Sequence, residues 1–472
     1  MDARLTSNAN RFAYGAGHAL ISAKNMLFHF FFLFYFSNVL GIPEWQVLTA
    51  TFIAILIDAV SDPAMGQISD STRSARWGRR HGWLLLGTVP TAAALALLFS
   101  PPPGMSALAL FSWMFVFMVV TRLAITLYTV PYFALVADMT RNYNERTTLS
   151  AFRSIFENVF NLIVFILGFL VFLPDRDGLE DGMLYEPGYA PFALSVGIIG
   201  VLGGLVLVWG TWDKVETTQP ATEDVALPWY GAFSGLVKAF GFREFRTATI
   251  AYSILITLYG TISQLSLYVG VYLWQFSQVQ KLVASIIPFI VIIPAAIFAG
   301  WMAKRTDKRD AALKLTWAFG VSFSLPFALY LLGLTPPEGS TALLLLIGVT
   351  SGIGYAGFIG TIILSYSMLA DVTDLITLRT GRQQEALIFA GFTFANKLAF
   401  AGGLVFATMG IVIIDLPEGA LPSQVEGTTT AGLAAYSIVV NMLLMGAAWT
   451  VYRRYTLTRE AHAMVRKSLS AL

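Results

Sequence analysis

About twelve stretches of this chain are apolar for roughly 20 residues each, the length an α-helix needs to cross a hydrocarbon core about 30 Å thick. They begin near Arg11, Gln46, Gly82, Ala107, Leu149, Ala190, Thr247, Leu282, Ala311, Thr341, Ala386 and Leu433. Inside such a core no water can satisfy the backbone, so only helices and closed barrels are viable. A barrel would show segments of about ten residues alternating apolar and polar. Continuous runs such as LFHFFFLFYF and LSVGIIGVLGGLVLVWG contradict that pattern. With 56% hydrophobic and 12% charged residues, far from soluble averages, the chain reads as an all-α membrane protein with twelve transmembrane helices.

The few charges fall in alternate loops. Arg73, Arg76, Arg79 and Arg80 follow the second span; Lys304, Arg305, Lys308 and Arg309 follow the eighth; the tail holds Arg453, Arg454, Arg459, Arg466 and Lys467. The opposite loops carry one basic residue, Arg176. Loops kept in the cytoplasm carry the excess of Lys and Arg, so both termini are expected there, in a plasma membrane (the inner membrane if the source is a bacterium). Met1 to Asn10 is polar and the first apolar run is full length, which is not the pattern of a cleavable signal peptide. The sequence has no cysteine, hence no disulfide or thiolate metal site. Its net charge of +2 reflects topology and gives no sign of a nucleic-acid partner.

Two six-helix bundles are expected: residues 1–212 and 247–455, separated by a linker at 213–246 with an amphipathic piece and followed by a tail at 456–472. Two echoes support a duplicated, pseudo-symmetric unit. ALVADMT at the end of the fourth span matches SMLADVT at the end of the tenth, and FLVFLPDRDG after the fifth matches IVIIDLPEG after the eleventh. Transporters are often built from such repeats, with the site near mid-membrane.

Ionisable residues within the spans are costly, and they mark function by default. At a rise of 1.5 Å per residue, Asp58 lies about 18 Å into the second span, and Asp62, four residues on, shares its face. Two carboxylates there become favourable when a hard cation, a shared proton or a basic side chain sits between them. The plainer alternatives are a buried ion pair joining helices, or cavity-lining acids that bind no ion. Lys24, Arg122, Arg153, Glu157 and Lys397 are also deep, with Arg153 and Glu157 spaced for an internal pair. Four positive groups against three negative suit either an anionic solute or a neutral one, the latter if Lys24 neutralises the aspartates. His18 and His29 are expected to pack. Tyr128, Tyr132 and Phe133 flank Pro131, where a proline loosens the backbone at depth.

The run Asp58-Ala-Val-Ser-Asp62-Pro63-x-x-Gly66-x-x-x-Asp70, followed by Arg76-Trp77-Gly78-Arg79-Arg80, resembles the signature of the glycoside-pentoside-hexuronide:cation symporters. These form a branch of the major facilitator superfamily that includes the melibiose permeases. Val130-Pro131-Tyr132-Phe133-Ala134-Leu135 with Asp138-Met139-Thr140, then Glu145-Arg146-Thr147 and Arg153, are similar to the same family; so are Met368-Leu369-Ala370-Asp371, Thr380-Gly381-Arg382 and Lys397. The resemblance implies the major facilitator fold and alternating access, with a solute moving inward alongside Na+, Li+ or H+. It further implies that Asp58 and Asp62 bind the cation and that Lys397 approaches them.

Departures from the family bear on solute and ion. Ser22 stands where melibiose permeases carry a sugar-binding aspartate, with Lys24 two residues later, and Thr129 stands where they carry another acid. The expected cation site is therefore Asp58, Ser61 and Asp62 with Thr129 in support. The expected solute site is Ser22, Lys24, Arg122, Tyr128, Phe133, Arg153 and Lys397. Lys24 is expected to pair with Asp58 or Asp62 at rest and to be released by protonation. Asp70, Arg76, Arg79, Arg80, Asp138, Arg146, Asp371 and Arg382 are expected to form gating latches.

The functional expectation is a secondary active transporter for a sugar, glycoside or hexuronide, coupled to H+ or Na+, acting as a monomer without a cofactor. The alternative is a porter of lysolipids or other amphiphiles, since relatives with this signature move lysophospholipids. No nucleophile motif, His/Glu metal constellation or phosphate-binding Gly-rich loop points to an enzyme.

Overall fold

A computed structural model describes residues 6–74, 76–140, 142–214, 240–381, 385–417 and 420–469. The amphipathic piece expected in the linker and the latch residue Arg382 lie outside the described residues. The chain divides into two compact units, Met1–Trp229 and Tyr230–Leu472.

In the first unit, α1 runs in pieces, Asn8–Ala16 and His18–Met26, and continues through π-helical turns at Leu27–Phe31 and Phe34–Val39. It is followed by α2 (Glu44–Ser71), α3 (His81–Leu98), α4 (Ala107–Met139), α5 (Tyr143–Ile166) and α6 (Tyr189–Gly210). The second unit holds α7 (Arg243–Tyr268), α8 (Gln278–Arg305), α9 (Lys308–Leu331), α10 (Thr341–Thr380), α11 (Glu385–Ile413) and α12 (Gly427–Tyr452). A short helix, α13 (Arg459–Leu469), ends it. Among the described residues eleven helices are long and apolar enough to cross a membrane; α1, interrupted at Gly17, completes the twelve.

Several helices begin before their apolar runs because polar residues supply the first turn. Ser7, Ser106, Ser277 and Ser340 each accept from the N–H three residues on, satisfying a donor that the helix itself leaves without a partner. Thus α8 starts at Gln278, not Leu282; α12 also starts early, at Gly427 and not Leu433, without a side-chain cap.

The packing partners repeat. In the first unit α3 packs on α4 and α6, α2 on α4, and α1 on α5 and α6; in the second, α9 packs on α10 and α12, α8 on α10, and α7 on α11 and α12. Adding six to each helix number turns the first set into the second, as two copies of one unit require. Small residues permit the closest approaches, as is usual between helices in lipid. A Cβ on Gly203 of α6 would lie 2.5 Å from the Ala16 carbonyl oxygen, and one on Gly403 of α11 would lie 2.6 Å from the Gly260 backbone of α7.

Aromatic side chains fill each interior. Tyr14, Tyr128 and Tyr132 are buried with Leu84, Leu135 and Leu207 in the first unit; Tyr252, Phe319, Phe358 and Tyr452 are buried with Leu255 and Met368 in the second. Outward faces are apolar too: Ile290, Ile293 and Ile297 form an exposed stripe on α8, the pattern of a helix facing lipid.

Candidate functional site

The acids of α2 face α4. Arg122 Nη1 donates to Asp58 Oδ2 at 2.5 Å, and Thr126 Oγ1 donates to Asp62 Oδ1 at 2.9 Å. Both partners are four residues apart on both helices, so one turn of α2 matches one turn of α4 and the two contacts form successive rungs. Gly66 and Val130 meet next, a Cβ on Gly66 lying 3.9 Å from a Val130 methyl. Pro63 follows Asp62 inside α2 and removes one N–H from the helical ladder there.

The site is buried and incompletely satisfied. Asp58 and Arg122 side chains are 14% and 10% exposed. Asp58 Oδ1, Ser61 Oγ and Arg122 Nε are buried without a hydrogen-bond partner. Phe28 of α1 presents its ring to two cations, with Arg122 Cζ at 5.5 Å and Lys24 Nζ at 5.6 Å from the centroid. Lys24 Nζ also donates to Asn25 Oδ1 at 3.3 Å.

The structure adds two contacts that were not expected. Arg122, expected at the solute, is a counter-ion of Asp58. Thr126, not named from the sequence, is the threonine at Asp62; Thr129 lies three residues further along α4. Thr126 was findable, because it follows Arg122 by the same four residues that separate the acids.

A second polar group gathers between α1, α4 and α5. Arg153 Nη1 lies 3.5 Å from Glu157 Oε2, and His18 Nε2 lies 3.7 Å from the same oxygen. Ser22 Oγ donates to the Glu157 carbonyl at 3.5 Å. Arg153 Cζ stands 5.5 Å from the Phe133 ring centroid, and Phe133 is about half exposed. Ser22, Phe133 and Arg153 are therefore brought together, and His18, expected to pack or hydrogen-bond, joins them. Tyr128 is fully buried, and its hydroxyl donates to the Gly17 carbonyl at 2.6 Å, so it is occupied in joining α1 to α4. Lys397 is exposed on α11 in the second unit.

The latch residues divide similarly. Asp138 at the end of α4 takes Arg79 Nη2 at 2.7 Å and Arg80 Nε at 3.0 Å; Arg80 Nη2 also reaches Asp70 at 2.5 Å, and its Nη1 donates to Ser69. Arg76 lies against the Trp77 ring. Arg146 donates to the Thr140 carbonyl at 3.0 Å, whereas its neighbour Glu145 receives Thr6 and Thr140 and lies 3.6 Å from Arg11. In the second unit Asp371 on α10 takes Lys308 Nζ at 2.5 Å and His462 Nδ1 at 3.5 Å, while His462 Nε2 is 2.9 Å from Asp374. Lys308, His462 and Glu145 were not expected as latch partners.

Among the described residues no group of three or more His, Cys, Asp or Glu could hold a metal ion. Among the described residues the polar contacts of Asp58, Asp62 and Glu157 within the spans are ion pairs and hydrogen bonds.

The pattern of the family described as MFS/sugar transport protein matches residues 13–459. An uncharacterized symporter of Synechocystis sp. is 26% identical, with 98% of this chain and 96% of that one covered. The isoprimeverose transporter of Lactiplantibacillus pentosus is 23% identical, with 86% of this chain and 80% of that one covered. The sodium-dependent lysophosphatidylcholine symporter 1 of Gallus gallus is 21% identical, with coverage of 99% and 90%. Among solved structures, a bacterial homolog of the human lysosomal transporter Spinster, inward-facing and unoccupied, is similar in fold, with a TM-score of 0.63 at 11% identity, 98% of this chain and 97% of that one covered. The long match places a multi-pass membrane chain among transporters: it belongs to the MFS/sugar transport protein family, within the major facilitator superfamily.

Proposed function

We propose that the chain is a secondary active transporter that couples uptake of a sugar, glycoside or hexuronide to a monovalent cation, Na+ or H+, by alternating access. The observation that carries this reading is the pair of buried oxygens without a hydrogen-bond donor, Asp58 Oδ1 and Ser61 Oγ, on the same face as Asp62. Buried acceptors left unsatisfied are expensive, and a hard cation taking oxygen ligands removes that cost. The proposed cation ligands are Asp58, Ser61 and Asp62, with the Thr126 hydroxyl in the supporting place expected of Thr129.

The solute falls to the group around Glu157. Phe133 offers an aromatic face, Arg153 and His18 offer donors, and Ser22 and Glu157 offer oxygens, a combination suited to a ring with hydroxyl groups. Lys24 and Lys397 remain proposed ligands for solute oxygens. The latches around Asp138 and Asp371 serve gating, in a monomer with both termini in the cytoplasm. An amphiphile is the second reading, favoured by the lysophosphatidylcholine relative. Against it, the aromatic run of α1 is largely consumed in packing: Phe28, Phe31, Phe32, Phe34, Tyr35 and Phe36 are buried, leaving few rings to line an acyl path.

Uptake of isoprimeverose, glucuronate and lysophosphatidylcholine into proteoliposomes, under separately imposed Na+ and H+ gradients, tests both. A sugar or uronate should accumulate with one gradient, and Asp58→Asn should abolish accumulation while leaving some exchange. Uptake indifferent to both gradients would sink the symport reading, and transport of the lysolipid alone would favour the second.

A further inference from the structure

The contact between Asp58 and Arg122 runs from one guanidinium nitrogen to one carboxylate oxygen. Arginine is built to grip a carboxylate with two parallel hydrogen bonds. Here each partner instead keeps a directed atom in reserve: Asp58 Oδ1 has no donor and Arg122 Nε has no acceptor, both buried, with Arg122 only 8% exposed overall. The reserved acceptor suits a cation, and Ser61 Oγ, three residues on along α2, is likewise without a partner. The reserved donor suits an anion or another acceptor. The Phe28 ring behind the guanidinium is a second seat that holds a cation without using a hydrogen bond.

From this geometry we infer that Arg122 is the resident counter-ion of Asp58, which Na+ or Li+ must displace, and that it yields when the solute offers its guanidinium an acceptor, best a carboxylate. The inference rests on the cation site proposed above. Arg122 is permanently charged, so a metal ion and this guanidinium repel each other at one carboxylate. Without solute the cation is a poor competitor. A uronate carboxylate that takes the guanidinium leaves Asp58 open, and the ion then binds. By linkage the ion strengthens solute binding by the same factor. The arrangement favours a hexuronide over a neutral glycoside, and it discourages ion leak in the absence of cargo. Arg122 thus contacts the solute directly and ties it to the ion.

The test is Na+ binding to purified protein by calorimetry, first without solute and then with glucuronate. Arg122→Gln should bind Na+ at least about tenfold tighter than the wild type in the absence of solute, a gain that Asp58→Asn in the same chain should erase. Glucuronate should raise Na+ affinity in the wild type and not in Arg122→Gln. Should Arg122→Gln fail to fold, Arg122→Lys, which keeps the charge and loses the planar fork, should show a smaller gain of the same sign. Equal or weaker Na+ binding by the folded variant, including binding by neither protein, overturns the inference; a wild type indifferent to glucuronate overturns its solute half. Wild-type uptake that still follows a cation gradient would confine the failure to Arg122, whereas uptake indifferent to gradients would remove the transport reading beneath it.

Discussion

Asp138 and Asp371 end the same echoed phrase on the fourth helix of each unit, and cations of different kinds hold them. Asp138 is gripped by two arginines from the loop between α2 and α3, one of them also tied to Asp70 and Ser69. Asp371 is held by a single lysine at the start of α9 and by an imidazole from α13, which also spans to Asp374. The repeated unit has kept the acid and the helix that carries it, while the counter-charges have come from wherever each half could supply them. The first latch is a rigid fork in a buried setting. The second is a point charge, one third exposed, plus a strap from the tail.

The sharpest way to break this contrast is to remove the acids. Asp138→Ala removes the carboxylate that Arg79 and Arg80 share and leaves the buried Arg80 with Asp70 and Ser69; two charge-assisted bonds are lost, at about 1.5–3 kcal/mol each, and this should produce the largest fall in melting temperature in detergent. Asp371→Ala should cost less, about 1.5–3 kcal/mol, because the Lys308 ammonium can turn toward water. Equal losses at the two sites would mean that the identity of the counter-charge is irrelevant. The smallest effect should come from His462→Ala, about 0.5–1.5 kcal/mol. Its diagnostic readout is protease sensitivity of the tail, which should rise after α13 loses its tie to Asp371 and Asp374; an unchanged digestion pattern would show that Arg459, through Asp307 and the Ala303 carbonyl, and the buried Val465 hold the strap by themselves.

Much of the architecture was readable because hydrophobic length and basic-loop alternation are strong signals at every span. The echo around Asp138 and Asp371 marked both paired acids in advance, and Arg79 and Arg80 followed from proximity in the chain. His462 did not, since it lies 88 residues beyond Asp374, with two further spans between them. The contact of Arg122 with Asp58 was not legible, because depth was the signal that marked Arg122. Depth places a residue along the membrane normal and says nothing about which way it points around its helix. Thr126 was missed although its spacing from Arg122 repeats that of Asp58 and Asp62; Thr129, three residues beyond Thr126, lies on nearly the same face one turn further along. Arg153 and Glu157 show the opposite case: they are close in sequence on one helix, and their spacing puts them in reach of each other.

The matched spacing of Asp58 and Asp62 with Arg122 and Thr126 makes α2 and α4 behave like a rack with evenly cut teeth. Sliding α4 by a single tooth would set Arg122 opposite Asp62 and bring Thr126 to Gly66, where no side chain obstructs it, leaving Asp58 bare. One-turn ratchets are a known way for packed helices to switch. In this chain such a step would transfer a whole positive charge from one carboxylate to the next without exposing either to lipid.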